Sequence, residues 1–162
     1  MEEKDILNGK KILIVDDEAD ILATLQDLLY MCLIDQAKNY EEAIRLLERE
    51  KYDAAILDIM GVRGYDLLDE TTRLGIPTLM LTAHALSSDN FVKSIRSGAQ
   101  AYLPKDRITE IAIFLRDVLK GKGDKSKRSM WFKRLESFFE EKFGADWRER
   151  QDPEFWKKYF YI

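Results

Sequence analysis

Through residues 1–119, short continuous apolar runs alternate with stretches whose apolar residues recur every three or four positions. Residues 12–15 (ILIV), 54–57 (AAIL) and 78–81 (TLML) have the pattern of strands buried on both faces. Residues 32–34 (CLI) and 101–103 (AYL) read as weaker, shorter strands. Between them lie helical patterns. Ile21, Leu22, Leu25, Leu28 and Leu29 share one face. Asn39 with Glu42 reads as a capping box ahead of Ala43, Ile44, Leu46 and Leu47. After Gly61 and Gly64 a helix runs to about Arg73, and another spans 88–97, closed by Gly98. Ile108, Ile111, Ala112, Leu115, Val118 and Leu119 form the last such face of this region. Five strands alternating with five helices predict an α/β fold. With right-handed crossovers, this is a doubly wound five-stranded parallel sheet in a three-layer α/β/α sandwich, flavodoxin-like in order.

The pattern changes after Lys120. Residues 121–128 (GKGDKSKR) read as a polar, basic linker. Ser129 is placed to cap a helix on which Phe132, Leu135, Phe139 and Phe143 share a face, with Gly144 as its stop. Asp152-Pro153 opens a shorter helix carrying Phe155, Trp156, Tyr159 and Phe160. Charge divides at the same place. Residues 1–119 hold 14 basic and 22 acidic side chains, and residues 120–162 hold 12 and 8. Of 18 aromatic residues, 11 lie in 129–162, including all three Trp. Two parts with different tasks are expected.

Composition narrows the chemistry. One cysteine and one histidine exclude an internal disulfide framework and a Cys- or His-rich metal centre. Cys32 reads as a small buried hydrophobe, and His84 as a solvated loop residue. No apolar run approaches membrane-spanning length, and the acid-first N-terminus lacks the apolar core of a signal peptide. We expect a soluble, cytoplasmic protein.

What ends the strands is more informative. The first ends in Asp16-Asp17, the third in Asp58 and the fourth in Thr82, and Lys105 follows the fifth. In a parallel sheet these ends share one rim. Acids at a helix start are ordinary on their own; the ordered set across four strands is not. Carboxylates that close repel one another, and an all-oxygen donor set favours Mg²⁺. A hydroxyl and an ammonium beside them suit a phosphoryl group, and one carboxylate, Asp58, is placed to attack phosphorus.

On these residues the chain resembles the receiver domain of two-component response regulators, over about residues 9–120. The matching segments are 11–18 (KILIVDDE), 53–58 (DAAILD), 79–83 (LMLTA) and 98–105 (GAQAYLPK). The resemblance implies that Asp58 accepts phosphate from a histidine kinase or a histidine phosphotransfer protein. It implies that Asp17 and Asp58 bind Mg²⁺ directly with the backbone carbonyl of Met60, and that Asp16 acts through water. Lys105 then pairs with a phosphoryl oxygen, Thr82 moves to bond another, and Tyr102 changes rotamer in step. The face built from the fourth helix, fifth strand and fifth helix would then meet partners. We expect no enzymatic turnover beyond self-phosphorylation and self-dephosphorylation. The division is a receiver over 1–120, a linker over 121–128 and an aromatic helical tail over 129–162.

Two other classes compete. A Mg²⁺-dependent phosphohydrolase would also use Asp58 as nucleophile, but the acid common two places later in one such superfamily is Met60 here. A transcription regulator would bind DNA through the basic tail, yet about 34 residues are few for such a domain and acids are interspersed through 136–154. Glu136, Glu140, Glu141 and Glu154 weigh against interfacial membrane attachment. A tail that makes protein contacts, with its own receiver, a second copy or a downstream partner, is the leading expectation.

Overall fold

In the computed structural model, which describes residues 4–124 and 127–160, five parallel strands form one sheet in the order β2-β1-β3-β4-β5. They are β1 (Lys11–Val15), β2 (Leu33–Ala37), β3 (Ala54–Asp58), β4 (Thr78–Thr82) and β5 (Ala101–Pro104). Every residue of β3, β4 and β5 is buried, as their unbroken apolar runs require. The alternating helices are α1 (Ala19–Leu28), α2 (Tyr40–Arg49), α3 (Gly64–Arg73), α4 (Ser88–Arg96) and α5 (Ile111–Gly123). α1 packs with α5, and α2 with α3, giving the expected three layers.

Three differences from the sequence expectation have physical causes. β2 extends through Asp35 and Gln36 to Ala37, well past residue 34. It is an edge strand with one open side, so polar residues belong in it and the apolar run under-reports its length. Lys105–Glu110 forms a 3₁₀ segment, and α5 begins only at Ile111, so Ile108 precedes the helix. α5 in turn runs to Gly123, taking in the first three residues read as linker. Lys125 lies outside the described residues.

Local signals set several ends. The Asn39 side chain accepts from Glu42 N at 2.9 Å, but the Glu42 carboxylate takes Lys38 N at 2.8 Å rather than the N-H of Asn39 itself. Ser87 caps α4 by accepting from Asn90 N at 3.0 Å. Cys32 is buried, with Sγ 3.5 Å from Leu7 O.

The tail adds α6 (Met130–Phe143) and α7 (Pro153–Phe160). Ser129 precedes α6 without a side-chain cap, whereas Asp152 Oδ1 accepts from Glu154 N at 3.0 Å. Gly144 ends α6 at φ 100°, where a side chain would be strained. The aromatic faces pack on the tail's own receiver. Trp131, Phe132, Phe139, Trp147, Phe155 and Phe160 are buried with Phe91 of α4 and Tyr102 of β5 in one continuous core. Phe143 and Tyr159 are only partly buried. Arg134 of α6 forks onto the buried Asp117 of α5, with Nε 2.7 Å from Oδ2 and Nη2 3.1 Å from Oδ1. Among the described residues no helix is long and apolar enough to cross a membrane.

Candidate functional site

Strand register assembles the site. Val15 of β1 pairs with Leu57 of β3, so Asp16 lies beside Asp58. Asp58 pairs with Leu81, which sets Thr82 one step beyond it. Thr82 pairs with Pro104, which sets Lys105 one step further along. Each residue leaves the carboxyl end of its strand, where crossovers of opposite direction open a crevice in such sheets.

The rim is largely buried. Relative exposure is 1% for Asp16 and Thr82, 5% for Asp58 and 9% for Lys105. Lys105 Nζ lies 2.9 Å from Asp16 Oδ2, 3.4 Å from Glu18 Oε1 and 3.5 Å from Asp58 Oδ1. Asp16 Oδ1 accepts from Glu18 N at 2.9 Å, which fixes its carboxylate at the entry to α1. Asp16 Oδ2 has no hydrogen bond of good geometry despite its nearness to the ammonium. Thr82 Oγ1 accepts from Ala85 N at 3.0 Å.

Electrostatics follow from this crowding. Burial, and then the neighbouring charge of Asp16, push the Asp58 carboxyl up to about 6, with Lys105 working against them. Burial also holds Asp16 above the usual carboxylate range. Burial works to lower the Lys105 pKa, but its contacts with Asp16, Asp58 and Glu18 outweigh it, and the net direction is up. The ammonium is thus held charged beside a carboxylate whose ionisation is opposed by its burial.

Asp17 is exposed at the mouth of the crevice. Asp16, Asp17 and Glu18 bring one carboxylate oxygen each within 4.8 Å of one another. Asp58 joins this group through Lys105. The donors are hard oxygens, and the buried Asp16 Oδ2 lacks a directed partner, so the residues present fit a hard divalent cation. Met60 sits in the β3–α3 loop with its side chain exposed. Next to it, Gly61 adopts φ +86°, and a Cβ there would come 2.4 Å from Asp17 Oδ2. Tyr102 is fully buried; its hydroxyl donates to Ala85 O at 2.6 Å and accepts from Ser87 N at 3.1 Å. His84 is exposed.

The structure therefore brings Asp16, Asp58, Thr82 and Lys105 to one rim with Asp17 at its edge. Residue patterns did not single out Glu18 as a partner of Lys105 or Gly61 as the seat of Asp17. Glu18 is one place beyond the Asp pair and has the same charge, which was the available signal. The role of Gly61 arises only when the loop folds back over Asp17.

A doubly wound three-layer protein with carboxylates, a hydroxyl and a lysine on one strand-end rim is the class defined by these features. The chain belongs to the response regulator receiver domain family, whose sequence profile matches residues 12–113. It is 37% identical over 132 residues to the phosphate regulon transcriptional regulatory protein PhoB of Pseudomonas aeruginosa, covering 72% of this chain and 55% of that protein. It is 36% identical over 106 residues to the probable transcriptional regulator ycf27 of Guillardia theta, covering 62% of this chain and 41% of that one. The chain thus matches about half the length of these relatives. Among solved structures, a CheY-like response regulator receiver domain protein from Methanospirillum hungatei JF-1 superposes with TM-score 0.65 at 27% identity, over 73% of this chain and 99% of that one. The signal receiver domain of an HD domain-containing protein from Pseudomonas fluorescens Pf-5 gives TM-score 0.64 at 26% identity, over 72% and 98%.

Proposed function

We propose that this response regulator receives a phosphoryl group on Asp58 with Mg²⁺ at the rim, from a histidine kinase or a histidine phosphotransfer protein. The observation that carries the proposal is Lys105 Nζ seated between Asp16 and Asp58, 2.9 and 3.5 Å from their oxygens. In the transfer an Asp58 carboxylate oxygen forms a bond to phosphorus. The bond from phosphorus to the donor imidazole nitrogen breaks, and the electron pair leaves with the imidazole. Lys105 supplies a fixed positive charge to the oxygens that gain charge. Thr82 supplies a hydroxyl donor once it turns from Ala85 N. Asp17 and Asp58 with the Met60 carbonyl would hold Mg²⁺, Asp16 acting through water, and the ion would supply charge neutralisation for an anionic donor.

The same rim chemistry supports self-phosphorylation from small donors and self-dephosphorylation, without turnover of a separate substrate. We assign the tail over 129–162 to protein contacts rather than to DNA binding. The apolar faces of α6 and α7 are turned onto the receiver, and Arg134 is committed to Asp117. The proposed histidine kinase donor supports a cytoplasmic location.

Intact mass spectrometry after incubation with acetyl phosphate tests the proposal. One phosphoryl group per chain is expected with Mg²⁺, none with EDTA, and none on Asp58→Asn. Equal labelling of the wild type and Asp58→Asn would refute it.

A further inference from the structure

The tail has a direct mechanical link to the rim. Residue 85 is gripped at both ends of its backbone. Its N-H donates to Thr82 Oγ1 at 3.0 Å, and its C=O accepts from the Tyr102 hydroxyl at 2.6 Å. The Tyr102 ring then lies 5.5 Å from Phe91 of α4 and 6.2 Å from Phe139 of α6, centroid to centroid. Phe91 is the receiver's main foothold for the tail. Tail rings surround it at centroid distances from 5.2 Å, at Phe139 and Trp147, to 6.3 Å at Phe155. One hydroxyl, one backbone residue and one tyrosine therefore separate the rim from the tail's aromatic core.

We propose that residues 130–160 are a state-dependent cover on the α4–β5 side of the receiver, released when Asp58 is phosphorylated. The proposal rests on the reading of Asp58 as the acceptor. A Thr82 hydroxyl that turns to a phosphoryl oxygen gives up Ala85 N. Residue 85 then loses one of its two anchors, and as it moves the Tyr102 hydroxyl, which has no side-chain partner among the described residues, exchanges its 2.6 Å bond to Ala85 O for the longer 3.4 Å approach to Ser87 O. A fully buried hydroxyl left with only that long contact disfavours the closed packing, because no water reaches it there. The ring shifts, and the Phe91–Phe139 contact shifts with it. In the closed state the tail withholds Phe91 and Tyr102 from any other protein, and in the open state both become available. The Arg134–Asp117 fork, which joins α6 to α5, acts as the hinge that keeps the tail tethered.

The three tryptophans Trp131, Trp147 and Trp156 all lie in the cover, and all are buried, so tail release is readable in the full chain without a label. The full chain is treated with acetyl phosphate and Mg²⁺. Intact mass gives the fraction labelled on Asp58, while amide exchange over 130–160 and acrylamide quenching of tryptophan give the state of the tail. In the labelled fraction, exchange over 130–160 is expected to quicken by about fivefold, the equivalent of the roughly 1 kcal/mol that one net hydrogen bond contributes. Quenching should rise with it. Label with unchanged or slower exchange overturns the proposal alone; no label overturns the acceptor reading and the proposal with it. Thr82→Ala tests the link without any donor. It removes the acceptor of Ala85 N, so its unlabelled tail should exchange faster than wild type, while Thr82→Ser should match wild type. A Thr82→Ala tail as protected as wild type, in a chain whose β3 and β4 amides remain protected, overturns the relay.

Discussion

Asp58 keeps its charge at a cost in stability, and the cost has a pH signature. Its carboxyl titrates near 6 in the folded chain against an ordinary 3.8. Between those values the folded state holds more protons than the unfolded one, so stability falls as pH rises through that window and then levels off. In metal-free buffer at pH 7, Asp58→Asn is therefore expected to be more stable than wild type by about 2 kcal/mol, with little gain near pH 4. Denaturant melts at the two pH values check this. Added Mg²⁺ should narrow the difference by stabilising the wild type more than the variant. Gly61 makes a second residue-level test. With φ +86° and Asp17 Oδ2 only 2.4 Å from the position of a Cβ, Gly61→Ala must displace the Asp17 carboxylate or the loop. Mg²⁺ affinity measured by calorimetry should fall about tenfold, the equivalent of roughly 1.4 kcal/mol, while Gly9→Ala should leave it unchanged, since nothing lies within 4 Å of a Cβ at Gly9. The acids, Thr82 and Lys105 were legible in the sequence because strand ends carry them in order. Gly61 and Glu18 were not, because their roles depend on how two loops close over the rim.

At the scale of elements, strength of patterning governed what could be read. β3 and β4 are buried on both faces, and their apolar runs mark them almost residue by residue. β2 is an edge strand whose Asp35 accepts a hydrogen bond from Tyr52 at 2.7 Å, so its polar half serves a tertiary contact that periodicity does not report. The start of α5 was misplaced because Ile108 falls in helical phase although Arg107, bonded to Glu110, departs from helical geometry at φ -108°. The tie between α5 and α6 was invisible for a similar reason. Asp117 sits on α5, and among the described residues its ion-pair partner, Arg134, arrives from the tail. Arg134→Ala strands a nearly fully buried carboxylate and is expected to cost about 2 kcal/mol, a typical figure for a hydrogen bond to a charged group. Arg134→Lys should recover only part of it, since an ammonium lacks the planar fork. Thermal unfolding of both variants decides this.

For the whole molecule, the basic linker and aromatic tail pointed to a second part with its own task, and the aromatic density predicted that it would not stay in water. Where it would pack was not legible. Phe91 lies on an amphipathic helix and Tyr102 in a short buried strand, and neither pattern distinguishes a core position from one covered by a distant segment. The fold resolves this by placing the tail over α4 and β5, on the side away from β2. Phe91→Ala should therefore unsettle the tail more than the sheet, raising acrylamide quenching of the three tryptophans while amide protection in β1 and β3 persists.

The proposed function presupposes that one carboxylate at the sheet rim becomes phosphorylated, forming a mixed anhydride. Borohydride reduction of the acetyl phosphate-treated chain, followed by peptide sequencing, reads that carboxylate directly, because an aspartyl phosphate is reduced to homoserine. Homoserine at position 58 and at no other acid is the expected result. Homoserine at position 16 or 17, or none in a chain that has gained phosphate, would contradict the account.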